Sequence, residues 1–252
     1  MKIIPLSEGS FTVDQTKKFI PYIPQRDTLQ ERTKGSLLVE IQPFLIVTTN
    51  DIILLDTGLG FSEEGVLQLY NNLAKHGISP SDVTKVIMSH LHRDHAGGLS
   101  VADPFSGLHY LSFPQADHYI QAKELNYALS GQSSSYDSSK LSFLANHEKV
   151  HLLDDRGDID QYIFFELSGG HSPFHQVIKI LEGSQILFFG GDEAPQLQQM
   201  KTKFIAKYDF DGKRAMELRE QWWNIGMAEE WTFLFYHDIK VPYFTMKSEL
   251  SV

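Results

Sequence analysis

The period of the hydrophobic pattern changes several times along this chain. Residues 36–60, SLLVEIQPFLIVTTNDIILLDTGLG, contain two apolar runs rich in Val, Ile and Leu, parted at Thr49-Asn50-Asp51. Those three residue types favour turns, so the stretch reads as two strands. Ser62 is placed to cap a helix, with Glu63 and Glu64 in a first turn where the helix dipole favours acids. Val66, Leu67, Tyr70, Leu73 and Ala74 then recur at helical spacing, and Gly77 marks the stop. KVIMS (85–89) is a short buried strand. Further strands are predicted at 109–113, 149–153, 162–167, 176–181, 185–190 and 231–236. Helices are predicted over 114–130 and from about Asp211 to Glu230, where Ala215, Leu218, Trp222 and Ile225 form one apolar stripe. Strands and helices in this order imply an α/β or α+β layered domain with at least two sheets.

The 252 residues show neither an internal repeat nor a linker long enough to divide them, so one domain is expected over 1–252. With 42% hydrophobic residues the chain has ample material for a core. No apolar run approaches the roughly 18 residues of a membrane span. The opening MKIIPLSEGS lacks a signal peptide's apolar length, so a cytoplasmic location without a membrane is expected. The formal net charge of −10 disfavours a nucleic-acid partner. The chain has no cysteine, which excludes disulfides, thiolate metal sites and cysteine nucleophiles. A transition metal could be held only by His, Asp or Glu.

Such residues are concentrated in KVIMSHLHRDHAGGL (85–99), where His90, His92, Asp94 and His95 follow an apolar run and precede Gly97-Gly98. They cannot share one helical face, since neighbours there recur every three or four residues. On a tight loop, 90 and 92 can point together while 94 and 95 turn towards a second point, and the glycines permit close backbone turns. His171, Asp192 and His237 each stand just after another apolar strand. His90, His92 and His171 could hold one ion, and Asp94, His95 and His237 a second. Asp192 could bridge the two through its carboxylate oxygens. Nitrogen and oxygen sites with open positions suit metal-assisted hydrolysis of a small-molecule substrate.

HLHRDH followed by AGG resembles the HxHxDH loop of the metallo-β-lactamase fold superfamily. GGHSPFHQ is similar to that superfamily's GHTxGH segment, FFGGD to its GD segment, FYHD to its last histidine, and ILLDTGLG to its DTG loop. The resemblance runs from about Leu37 to Asp238, with the motifs in the expected order. It implies a four-layer αββα sandwich of two mixed sheets flanked by helices, with a dinuclear metal centre at one edge of the sheets. Zinc is the first choice of metal; Fe, Mn and Co also accept these ligands. HGISPSDVTKVIMSHLHRDHAGGL is similar to the subgroup of N-acyl homoserine lactonases and related esterases. Two departures stand out: no Tyr follows closely after Asp192, and Ser172 and Phe174 replace the usual Thr and second Gly. The implied reaction is hydrolysis of a carboxylic ester or lactone by a hydroxide bound between the metals. Asp94 and Asp192 would supply charge and help move the proton. A glyoxalase-type thioesterase is the nearest alternative; an iron oxygenase or a metal-dependent binding protein would use the same fold without hydrolysis.

Around this set, Asp56 of LDTG is expected to orient a ligand imidazole, and His175 to be structural or to support a ligand. Arg93 is left open. Tyr208 is expected to pack, and Trp222 and Trp223 to lie in the core or an interface. His76, His109, His118, His147 and His151 are expected at the surface or in structural roles. The Ser-rich SGQSSSYDSSK (130–140) reads as an exposed flexible loop in preference to a lid. FIPYIP (19–24) could cover the mouth of the site or form the contact of a homodimer.

Overall fold

Successive residues of the central strands face two different cores, and this alternation builds the layers. In the computed structural model, which describes residues 1–246, Phe44, Ile46, Ile53, Leu55 and Ile87 point to one side of their sheet. Leu45, Leu54 and Val86 point to the other. A period of two along each strand, with both faces apolar, means that each face must be covered. The inner face packs on Ile163, Phe165, Ile178, Ile180, Leu187, Phe189 and Leu234 of a second sheet. The outer face is covered by helices Gln68–Ala74 and Ala122–Leu129 through Leu69, Leu73, Leu125 and Ala128. On the far side of the second sheet, Phe188 and Phe233 meet Trp222 of helix Gly212–Ala228. The four-layer αββα sandwich is therefore as expected.

The first sheet has six strands, in the order Lys2–Pro5, Phe44–Val47, Ile52–Leu55, Lys85–Ile87, Asp117–Gln121 and Val150–Leu153. The last four run parallel. The second sheet, Arg156–Ile159, Ile163–Leu167, Gln176–Glu182, Gln185–Phe189, Thr232–Leu234 and Tyr243–Thr245, is antiparallel except between Gln185–Phe189 and Thr232–Leu234. Among the described residues, no helix is long and apolar enough to cross a membrane.

Several boundaries differ from expectation. Residues 62–67 form a two-strand ladder, Ser62–Glu63 with Val66–Leu67, because Glu64 and Gly65 both adopt positive φ and turn the chain back. The helix therefore starts only at Gln68, and Gly77, at φ +72°, ends it as predicted. The stretch expected as one helix over 114–130 is instead a central strand, Asp117–Gln121, followed by the helix. Its DHYIQ pattern is polar enough to conceal a strand that tertiary pairing on both sides requires. The segment 36–60 holds three strands, since Gln42-Pro43 separates Leu37–Ile41 from Phe44–Val47. Leu37–Ile41 joins Gly9–Val13 and Phe19–Pro21 in a small sheet, so FIPYIP opens with an edge strand on which Ile20 is exposed.

The Ser-rich segment 130–140 is not simply an exposed loop. Tyr136 within it is buried, and Ser138–Leu141 forms a helical turn.

Candidate metal centre

Strands of both sheets deliver their carboxyl ends to one edge of the sandwich, and the candidate residues sit just past those ends. In the first sheet, Ile52–Leu55 leads to Asp56 and Lys85–Ile87 to the 90–95 loop. In the second, Ile163–Leu167 leads to His171, Gln185–Phe189 to Asp192 and Thr232–Leu234 to His237. These three strands point the same way, because one lies two antiparallel steps from the next and the third pairs parallel.

All seven predicted residues come together. The ligand atoms of His90, His92 and His171 lie within 4.8 Å of one another, as do those of Asp94, His95, Asp192 and His237. Asp192 stands between the groups. Its Oδ1 is 3.1 Å from His95 Nε2 and 3.0 Å from His237 Nε2, while Oδ2 is 3.2 Å from His171 Nε2. Asp94 Oδ2 lies 3.5 Å from His237 Nε2 and 3.8 Å from His95 Nε2. His171 Nε2 faces His92 Nδ1 at 3.1 Å.

The outer nitrogens of four imidazoles are occupied by the protein. His95 Nδ1 meets Asp56 Oδ2 at 2.7 Å, His171 Nδ1 meets Asp209 Oδ1 at 2.9 Å, and His237 Nδ1 meets the Glu40 carbonyl at 2.7 Å. His90 Nδ1 lies 3.1 Å from Ser89 Oγ. Such contacts fix each ring's orientation and direct its Nε2 lone pair inward. His90 Nε2, His95 Nε2 and Asp192 Oδ1 are buried and find no properly aligned hydrogen-bond partner. A buried polar atom left unpaired is costly. Three in one nitrogen and oxygen cluster fit divalent cations as their missing partners.

Asp56 takes the expected supporting position. Its φ of +57° turns the chain sharply out of the strand, and it also accepts the Ser89 N–H at 2.7 Å and the Ser89 hydroxyl at 2.6 Å. The Gly97-Gly98 pair lets this loop cross the 90–95 loop at close range. A Cβ on Gly97 would come 2.2 Å from the Leu59 carbonyl oxygen, and one on Gly98 2.2 Å from that of Thr57. Across the crossing, Thr57 N–H donates to the His95 carbonyl at 2.7 Å.

Electrostatics divide the cluster. Burial lowers His90 well below its usual range, and neighbouring His95 adds to the effect; burial does the same to His92, with His171 as the charged neighbour. For His95 burial is outweighed by Asp192, Asp94 and Asp56, and the ring is raised well above its usual range. His171 is likewise held at about 9, against burial, by Asp192 and Asp209. Burial of Asp192 is outweighed by His237, His95 and His171, which hold it well below the usual carboxylate range. Two poles thus surround a central anion, and cations there would take the place of these protons.

His175 stays outside the cluster: its Nε2 accepts the Asp192 N–H at 3.1 Å and its Nδ1 lies 2.9 Å from Ser168 Oγ. The Tyr208 ring stands edge-on to His171 at 6.1 Å and remains partly exposed. Trp222 is buried and Trp223 packs beside Phe233, as expected. His118 is buried at a structural position. Arg93 donates its N–H to the Ser135 carbonyl at 3.1 Å and its guanidinium to that of Tyr136 at 3.3 Å, tying the loop to the Ser-rich segment. Asp209, Glu124 and Tyr136 were not anticipated, since none belongs to a recognisable motif.

The sequence profile of the metallo-beta-lactamase superfamily matches residues 40–225. Among curated proteins, the chain is 32% identical over 110 residues to the N-acyl homoserine lactonase AttM of Azorhizobium caulinodans, covering 40% of this chain and 36% of that protein. It is 28% identical over 139 residues to AttM of Rhizobium radiobacter, covering 51% and 48%. The match thus spans less than half the length of either relative. Among solved structures, a probable metal-dependent hydrolase from Staphylococcus aureus superposes with a TM-score of 0.78 at 23% identity, covering 98% of this chain and 93% of that one. AidC, a dizinc quorum-quenching lactonase, superposes with a TM-score of 0.71 at 22% identity, covering 99% and 91%.

Proposed function

Since this chain belongs to the metallo-beta-lactamase superfamily, we propose that it is a metal-dependent hydrolase of carboxylic esters or lactones. The observation that carries the reading is Asp192, whose two oxygens face His95 and His237 on one side and His171 on the other. His90, His92 and His171 would hold one divalent cation and Asp94, His95 and His237 a second, with Asp192 shared and zinc the first metal to try. Bound there, such ions would supply Lewis-acid polarisation of a carbonyl and a water molecule acidified to a pKa of about 7.

The protein's own groups account for the rest. Asp192 is nearly buried and supplies the negative charge between the two poles. The Asp94 side chain is slightly more accessible, at 14%, and stands beside His237, where it can accept a proton from the attacking water and return it to the leaving alkoxide. The Tyr208 ring, 6.1 Å from that of His171, is exposed, and so is Phe210, whose backbone N–H donates to the His171 carbonyl at 3.0 Å. Aromatic surface there suits an apolar substituent better than a phosphodiester chain, in line with the net charge of −10. The matching curated relatives are lactonases, which makes a lactone the first ester to try.

The test is metal content of freshly purified protein together with a hydrolysis screen over lactones, aryl esters, thioesters and phosphodiesters. About two ions per chain are expected, with turnover of a lactone or ester that falls at least ~100-fold in Asp192→Ala. Absence of metal after reconstitution would overturn the reading, and so would two ions with no hydrolysis.

A further inference from the structure

Glu124 lies one turn past the carboxyl end of the parallel strand Asp117–Gln121, on the same sheet edge as the 90–95 loop. It is 1% exposed, has no part in the proposed chemistry, and collects donors from three separate segments. The Leu91 backbone N–H donates to Oε1 at 3.1 Å, and the Tyr136 hydroxyl donates to the same oxygen at 2.9 Å. The Ser172 hydroxyl donates to Oε2 at 3.2 Å. Leu91 stands between His90 and His92, and Ser172 follows His171 directly. Tyr136 in turn lays its ring 4.8 Å from that of His92. One buried carboxylate thus reaches the backbone or a neighbour of each residue in the three-histidine group, and it joins a loop of the first sheet to a loop of the second. It has no hydrogen bond to the segments that carry Asp192 or His237.

We propose that Glu124 is a positioning residue that sets the spacing of His90, His92 and His171, so that its loss weakens one of the two metal positions and spares the other. The proposal rests on reading the cluster as a dinuclear metal centre. A fully hydrogen-bonded buried network specifies one arrangement of the groups it joins, and a network with a member removed leaves its donors unpaired. Supports of this kind, when removed from a metal ligand, typically cost about 10–100-fold in metal affinity. The connection also explains why the Ser-rich segment does not stay free: burying Tyr136 completes the group of donors around Glu124.

The experiment measures zinc equivalents per chain and the stepwise zinc dissociation constants, by competition with a chromogenic chelator, for the wild type, Glu124→Gln, Glu124→Ala and Ser172→Ala. Circular dichroism and Tm report folding. The wild type should bind two zinc ions. Glu124→Ala, still folded, should bind one ion about as the wild type does and the other about 10–100-fold more weakly. Glu124→Gln keeps an oxygen for Leu91 and Tyr136 and an amide that can donate to Ser172 Oγ, so it should restore most of the loss. Two ions held with wild-type constants by folded Glu124→Ala would overturn the proposal, and so would equal weakening of both. Should Glu124→Ala not fold, Ser172→Ala decides, since it cuts the link from Glu124 to the loop of His171 and leaves the Leu91 and Tyr136 hydrogen bonds to Glu124 in place. Several-fold weakening of one ion supports the proposal, and unchanged binding overturns it. A wild type that binds no zinc would instead overturn the dinuclear centre itself, and the role of Glu124 with it.

Discussion

Asp209 shows how much of the site depends on residues with no motif of their own. Its Oδ1 takes the His171 Nδ1–H at 2.9 Å, and its side chain is 1% exposed. The contact sets which nitrogen of His171 faces the cluster and, together with Asp192, keeps the ring basic. Asp209→Ala is expected to weaken zinc binding about 10–100-fold, measured by chelator competition, while Asp209→Asn retains an acceptor and most of the affinity. At this scale the seven candidate ligands were legible, because residue types and spacing alone carry a coordination pattern. Asp56 was legible as well, being part of a recognisable loop. Asp209, Glu124 and Tyr136 were not, since hydrogen bonds between residues 38, 33 and 12 positions apart leave no local pattern.

The strand that ends at Phe189 illustrates what the elements do for the site. Phe189 is fully buried between the two sheets, packs 6.0 Å from Phe44, and stands three residues before Asp192. Its packing therefore fixes the strand end from which the central carboxylate is presented. Phe189→Ala is expected to destabilise the fold by about 3–5 kcal/mol in urea unfolding, through lost burial and the cavity left behind. Most strands of the second sheet could be read from their apolar runs. Asp117–Gln121 could not, because its polar residues disguise the period, and only pairing with Lys85–Ile87 and Val150–Leu153 makes it a strand. The ladder at 62–67 was hidden for a different reason: Ser62, Glu63 and Glu64 fit a helix start equally well, and the positive φ of Glu64 and Gly65 decided otherwise.

For the molecule as a whole, the network under the site includes one carboxyl whose ionisation bears on stability. Glu8 accepts the Leu59 N–H beside the Asp56 loop, and burial pushes it up from 4.5 to about 7 against the Leu59 and Gly60 N–H groups. Between those values the folded state holds a proton that the unfolded state has lost. The associated stability is therefore fully present below about pH 4.5 and is lost as pH rises through about 7. Urea unfolding at pH 5 and pH 8 should show the wild type losing about 2–3 kcal/mol more than Glu8→Gln over that interval. Equal losses in the two proteins would show that Glu8 titrates normally.

From the sequence alone came the four-layer class, the absence of thiolate chemistry, the seven candidate ligands and their division into two groups with Asp192 between. The four-layer class was implied by the resemblance of its motifs to those of a known family, whereas strand periods by themselves gave only a layered domain with at least two sheets. The ligands and their grouping depend on residue identity and on spacing along the chain, which are local. Only the tertiary structure decided how those groups are held. It brought the carboxyl ends of strands from both sheets to one edge, set Asp56, Asp209 and the Glu40 carbonyl behind the imidazoles, and drew Tyr136 of a Ser-rich stretch onto Glu124. Such contacts join residues far apart in the chain, and packing between layers selects them where no local pattern can.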